Sequence, residues 1–231
     1  MKPVLAHSWD VTPAQARQIQ LELRDRVELE GRERKLHRIA GADAALDLQA
    51  GRVIAGVVIY RFPDLVEIER VWAEAPLTFP YIPGLLSFRE MPAILAAFEK
   101  VHEPPDLIYY DGHGYAHPRR FGIACHLGVA LDRPAIGCAK SRLIGRHEEP
   151  PAKRGGWTPL EDGEETIGAV LRTRAGVKPV YVSQGHRVRL GRAIELVLAV
   201  SDGYRIPRPT RDADHFVESV KRARCASSGQ A

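Results

Sequence analysis

Three cysteines in 231 residues, Cys125, Cys138 and Cys225, are too few and too irregularly spaced for a disulfide framework or a zinc site. A reduced, cytoplasmic setting is the expectation that follows. Cys125 and Cys138 sit in apolar surroundings with no base identifiable beside them, so both read as small core residues and not as nucleophiles. No apolar run approaches the roughly 20 residues that span a bilayer. Met1-Lys2-Pro3-Val4 soon turns charged without an apolar stretch behind it, so no signal peptide is expected either. Internal repeats and low-complexity linkers are lacking. One domain over 1–231 is therefore expected, ordered over about 10–220 and ending in a flexible tail over 225–231. A large charge of one sign is missing too. The net charge of +4 is common among enzymes with no nucleic-acid partner and excludes nothing. Its placement says more: Arg119-Arg120, Lys140-Ser141-Arg142, Arg146, Lys153-Arg154 and the arginines from 205 to 211 lie near glycine-rich turns, where a polyanion can rest.

What is present begins with Thr12-Pro13, an N-cap followed by a first-turn proline. Apolar spacing carries the helix through Ala16, Ile19, Leu23 and Val27. Residues 39–48, 53–60 and 66–69 read as three consecutive antiparallel strands with turns at 49–51 and 62–64. A helix follows over about 87–101, in which Pro92 is tolerable only in the first turn. Leu107-Ile108-Tyr109-Tyr110 is a strand buried on both faces. The remaining expectations are a helix through 121–129, a short strand over 135–138, a mobile polar excursion over 145–165, a strand over 180–182, and helices over 190–200 and 212–224. The class is α/β: a mixed sheet of three antiparallel strands and then parallel strands, with helices on its faces.

The chemistry starts where strand 107–110 runs into Asp111-Gly112-His113-Gly114. A carboxylate at a strand end, with glycines on both sides of a histidine, is a poor core and a good way to meet a ligand closely. Asp43 sits in a similar setting, in Ile39-Ala40-Gly41-Ala42-Asp43, and neighbouring central strands bring two such acids together. Paired strand-borne carboxylates suit a hard metal ion, and arginines nearby suit phosphate, which points to nuclease chemistry. Each residue has a plainer reading when taken alone. Asp111 can cap a helix, Asp43 can sit in a turn or a salt bridge, and Glu90 is an ordinary first-turn acid. Tyr81 can pack, Lys140 can be a surface charge, and the arginine run can be a solvated stretch.

Longer segments override those readings. Pro80-Tyr81-Ile82-Pro83-Gly84-Leu85-Leu86-Ser87-Phe88-Arg89-Glu90, Asp111-Gly112-His113-Gly114 and His117-Pro118-Arg119-Arg120 resemble the endonuclease V family. So do Gly137-Cys138-Ala139-Lys140 and the segment Gly203-Tyr204-Arg205-Ile206-Pro207-Arg208-Pro209-Thr210-Arg211. The likeness covers roughly residues 10–220. It implies a ribonuclease H-like fold with helices on both faces of the sheet. It also implies Mg²⁺-dependent nicking of DNA at deoxyinosine, at the second phosphodiester 3′ to the lesion, with Mn²⁺ as a substitute ion. By resemblance, Asp43, Asp111 and Glu90 hold the metal, Lys140 assists at the phosphate, and a fourth site residue lies in the last helix. That residue matches Asp214, with His215 beside it as the alternative. The same likeness makes the Pro80–Gly84 loop, with Leu86, a strand-separating wedge led by Tyr81. Gly84 and Gly112 would approach the extruded base, and His117, Arg119 and Arg120 the nucleic acid. Two alternatives stay open: the same site acting on inosine in RNA, and a binder of inosine-containing nucleic acid that does not cut. A monomer with no membrane partner is expected.

Overall fold

The antiparallel meander predicted near the N-terminus forms in the computed structural model, which describes residues 1–5, 7–31 and 35–228. β1 (Arg38–Asp47) pairs along its whole length with β2 (Arg52–Arg61), and β2 pairs with β3 (Val66–Pro76). β4 (Leu107–Tyr110) lies parallel to β1, and β5 (Ala135–Ala139) parallel to β4. The sheet then departs from the expected run of parallel strands. β8 (Val180–His186) joins β5 antiparallel, and β7 (Glu165–Leu171) and β6 (Trp157–Asp162) extend the sheet as a hairpin. The order across the eight strands is β3-β2-β1-β4-β5-β8-β7-β6.

The hairpin corrects the reading of 145–165 as a mobile excursion. Its prolines and glycines look like loop signals, but Pro159 lies on the edge strand, where a missing ladder donor is harmless. Gly163 turns the chain with a φ of +66°.

Helices cover both faces. α2 (Leu86–Glu99) and α3 (Ile123–Leu131) pack on one, where Met91, Ile94, Phe98 and Leu127 meet Val57, Ile59 and Tyr110. α4 (Leu190–Ala199) and α5 (Arg208–Ser228) pack on the other, where Ile194, Val197 and Ala213 meet Ile39, Tyr109 and Ile136. α1 (Pro13–Leu23) is capped as expected, with Thr12 and Gln15 bonding each other's backbone, but it ends in a 3₁₀ turn over Arg24–Arg26 before reaching Val27. Pro92 lies inside α2, past its first turn. The helix carries on through it because packing of Phe88, Met91, Ile94, Leu95 and Phe98 outweighs one lost backbone bond. α5 takes in residues 225–228 of the expected tail, and 229–231 lie outside the described residues. Among the described residues, no helix is long and apolar enough to cross a membrane.

One close approach positions the site. A Cβ on Gly41 would stand 1.9 Å from the Pro209 carbonyl oxygen, so glycine lets the first turn of α5 lie directly on the middle of β1.

Candidate active site

The β1–β4 register aligns Ala42 with Tyr110. The next residue in each chain is an aspartate, so Asp43 and Asp111 stand side by side where β4 ends. Lys140, just past the end of β5, places Nζ 2.6 Å from Asp111 Oδ2 and 3.8 Å from Asp214 Oδ2. Asp214 comes from α5, two turns in, and is held there by the seat that Gly41 provides. Its neighbour His215 is exposed, so the structure brings Asp214 and not His215 to the cluster. Glu90 comes from α2, is only 8% exposed, and accepts a hydrogen bond of 2.6 Å from the Tyr110 hydroxyl.

Electrostatics bind these acids into one unit. Burial, and then the neighbouring charge of Asp111, raises the Asp43 carboxyl well above the usual range, and Glu90 and Asp214 push the same way. Burial raises Glu90 to about 7, against the opposing hydrogen bond from Tyr110. Asp111 is raised by burial despite its ion pair with Lys140. Burial works against the Lys140 charge, but Asp111 and Asp214 outweigh it and hold the ammonium firmly protonated. Among the described residues, no three metal-binding side chains are gathered at ligating distance. The donor set nevertheless fits a hard divalent cation: it is all oxygen, and Asp43, Glu90 and Asp111 are each pushed toward protonation, chiefly by burial, strain that added positive charge relieves.

Beside the acids lies a cavity of about 260 Å³. Tyr81, Ile82, Pro83, Gly84 and Leu86 form one wall, and Asp111, Gly112, His117 and Lys140 reach it from the other side. The loop is fixed at its root and free at its tip. Gly84 has a φ of +79°, and its carbonyl receives three donors: Gln20 Nε2 at 3.1 Å, His117 Nε2 at 2.9 Å and Arg119 Nη2 at 2.8 Å. Ile82 packs inward against Phe79, Leu85 and Phe88, whereas Pro80 and Pro83 are exposed and Tyr81 is 70% exposed. The Arg89 guanidinium lies 5.8 Å from the centre of the Tyr81 ring.

Three residues expected at the nucleic acid are engaged inside the protein. His117 is buried, its pKa driven down to about 3 by that burial, and it serves as a neutral strut under Gly84. Arg119 bonds Gln20 Oε1 at 2.6 Å in addition to Gly84. Arg120 pairs with Glu165 at 2.7 Å and Asp162 at 2.9 Å, which ties this turn to the β6–β7 hairpin. Sequence reasoning missed Gln20 and Ser87 in the cavity wall, whereas Arg142, expected in a basic stretch where a polyanion can rest, does line it. Arg205, expected only as part of a basic stretch for a polyanion, instead donates from Nη2 to the Lys140 carbonyl at 2.6 Å and braces the end of β5. Gln20 leaves a legible trace, a polar residue on the buried face of α1 between Ala16 and Leu23.

The Endonuclease V family model matches residues 21–215. Endonuclease V of Roseiflexus castenholzii is 49% identical over 214 residues, 93% of this chain and 96% of that protein. The crystal structure of Endonuclease V from Streptomyces avermitilis superposes with a TM-score of 0.89 at 42% identity, covering 98% of each chain. Ciona intestinalis Endonuclease V, solved in complex with a 24mer DNA containing an inosine followed by a ribo-adenosine, shares the fold with a TM-score of 0.80 at 24% identity, over 91% of this chain and 98% of that one.

Proposed function

The chain belongs to the Endonuclease V family, and from that premise we propose that it is a Mg²⁺-dependent endonuclease that recognises deoxyinosine, the deaminated form of adenine, in DNA. Acting as a single chain in DNA repair, it hydrolyses the second phosphodiester 3′ to the lesion and leaves a 3′-hydroxyl and a 5′-phosphate. One observation carries the reading: the exposed aromatic of a rigid loop and Asp111, the acid at the end of β4, line the same cavity. A base drawn out of the stack beside Tyr81 would bring its own backbone past Asp111 and Lys140.

Asp43 and Asp111, with Glu90, are the residues that would hold the ion, and Asp214 completes the acidic cluster. A bound Mg²⁺ ion supplies an activated water, charge neutralisation at the phosphate and a stabilised leaving oxygen. The remaining work falls to the protein. Lys140 presents a fixed ammonium at the mouth of the cavity, where it attracts a phosphate oxygen. Arg205 holds the strand end that carries Lys140. Tyr81 fills the gap left by the extruded base and recovers by stacking part of the few kcal/mol that unstacking costs. The three donors on Gly84 keep the base of this wedge rigid while the tip meets DNA. A Cβ on Gly112 would stand 2.7 Å from Ile123 Cγ2, so glycine lets the backbone pack directly on Ile123, and both residues line the cavity. A close backbone wall of this kind would exclude the exocyclic amine of guanine.

The test is a nicking assay on an end-labelled duplex with one deoxyinosine, run with Mg²⁺ and with EDTA, beside an Asp43→Ala variant and a matching single-inosine RNA. A Mg²⁺-dependent nick one nucleotide beyond the lesion, lost in the variant, is the expected result. Cleavage of the RNA alone would move the substrate to RNA. Binding without any cleavage would remove the enzyme reading.

A further inference from the structure

Among the described residues, three Phe, Tyr or Trp rings stand exposed: Tyr81, Trp157 and Tyr204. Tyr81 leads the wedge, and Trp157 begins β6 at the far edge of the sheet. Tyr204 lies in the turn between α4 and α5, with 54% of its surface in solvent. A lone exposed ring is ordinary. The mounting of this one is not. The Tyr204 N–H donates to the Ser201 carbonyl at 2.7 Å and closes the turn. The next residue is pinned from both sides. The Arg205 side chain donates to the carbonyls of Lys140 at 2.6 Å, Lys178 at 3.0 Å and Pro179 at 3.0 Å, and its own carbonyl accepts from the Thr173 hydroxyl at 2.6 Å. The Arg211 guanidinium lies 3.9 Å from the centre of the Tyr204 ring, so it stacks on one face and stiffens the side chain. Tyr81 is mounted in the same manner, with a fixed root, an exposed ring and an arginine against it. The two rings also flank the acids. Tyr81 precedes α2, on one face of the sheet, and Tyr204 precedes α5, on the other. Between them lie Asp111, Lys140 and Asp214, and Arg211 stands just under one turn of α5 before Asp214.

We propose that Tyr204, backed by Arg211, is a second stacking platform, which takes the base of the second nucleotide 3′ to the lesion, just past the cut. The assignment rests on the endonuclease reading above. A strand whose lesion lies beside Tyr81 and whose scissile phosphate lies at Lys140 continues in the 3′ direction toward Tyr204. Lys140 and Lys178, whose carbonyls hold Arg205, are both exposed, so the turn sits on a positively charged rim that suits a polyanion. A flat ring on such a rim matches a nucleic-acid strand, because every base has a face to stack. Drawing a base out of the duplex costs stacking on both sides of it. A downstream base that finds Tyr204 recovers part of that cost. Holding the strand on both sides of the scissile phosphate also keeps that phosphate aligned with Asp111 and Lys140.

The experiment uses two deoxyinosine duplexes, one intact and one with an abasic residue at the second position 3′ to the lesion. Tyr204→Ala is expected to lower single-turnover kcat/KM on the intact duplex about tenfold, the worth of one stacked base. On the abasic duplex the same variant should stay within about twofold of wild type, since no base is there to stack. Tyr204→Trp, which keeps a ring, should retain the wild-type preference for the intact duplex. Thermal unfolding of each variant checks that it is folded. Equal losses on both duplexes, as a merely structural role would give, or no loss on the intact one, would overturn the assignment. A wild-type chain that leaves deoxyinosine uncut would remove the nuclease reading instead. Binding of the same two duplexes in EDTA, read by fluorescence anisotropy, would then decide the assignment. A wild-type preference for the intact duplex that Tyr204→Ala loses supports it, and equal wild-type affinities overturn it.

Discussion

Replacing Glu90 with glutamine is expected to stabilise the folded chain at alkaline pH while removing its nicking activity. The folded protein holds the Glu90 proton up to about pH 7, against an ordinary value of 4.5. Between those two values the unfolded chain has released its proton and the folded chain has not. Rising pH therefore favours unfolding throughout that window, and the whole penalty is in place above about pH 7. At about 1.4 kcal/mol per pH unit, a displacement from 4.5 to about 7 amounts to about 3 kcal/mol. Side-chain exposure of 8% leaves little solvent screening to discount. Glutamine keeps an acceptor for the Tyr110 hydroxyl and never ionises. In EDTA, thermal unfolding of wild type and Glu90→Gln should nearly coincide near pH 4.5, separate up to about pH 7 and hold that gap to pH 8, with the variant more stable. Mg²⁺ should then raise the wild type and leave the variant where it was. Parallel pH curves would refute the reasoning, since the buried carboxyl would then carry no penalty.

Three further outcomes follow from the geometry. Gly41→Ala puts a methyl group 1.9 Å from the Pro209 carbonyl, so α5 must shift; nicking should fall about a hundredfold as Asp214 is displaced, and stability by about 1–3 kcal/mol, whereas an unchanged melting curve would show that the close approach is dispensable. Lys140→Met leaves Asp111 and Asp214 without their shared cation; in EDTA the variant should lose no more than about 1 kcal/mol, because Lys140 is well solvated, and Mg²⁺ should close the gap, so a variant that melts independently of Mg²⁺ would contradict the proposed role of the acids. Tyr81→Ala should weaken binding to inosine-containing DNA about tenfold or more, the worth of one stacked base, and leave undamaged DNA almost unaffected; equal losses measured by fluorescence anisotropy would sink the wedge.

Much of this architecture is legible in the chain because hydrophobic period and turn residues agree. The three-strand meander, the apolar run 107–110 and the aspartates placed beside each other by β1 and β4 all follow from local pattern. β6 is hidden for a physical reason: an edge strand needs only one packed face, so its composition resembles a loop. Partner choice is harder to read than position. Arg119 and Arg120 look free beside a glycine turn, yet Gln20, 99 residues before Arg119, and Glu165, 45 residues after Arg120, claim them. His117 likewise reads from sequence as a contact to the nucleic acid, while burial removes its charge and seats its Nε2 under the Gly84 carbonyl. Ser87 leaves no trace at all, since a serine in a first turn is ordinary.

The seat of α5 on Gly41 also imposes a chronology. Asp43, Glu90 and Asp111 are synthesised well before Asp214, and α5 can dock only on a β1 that has already been laid down. The sheet that carries the first acids is thus available to form before the last one is delivered. The share of the repulsion that Asp214 adds is deferred until the other acids are in place, and the unfinished chain lacks the complete acidic cluster.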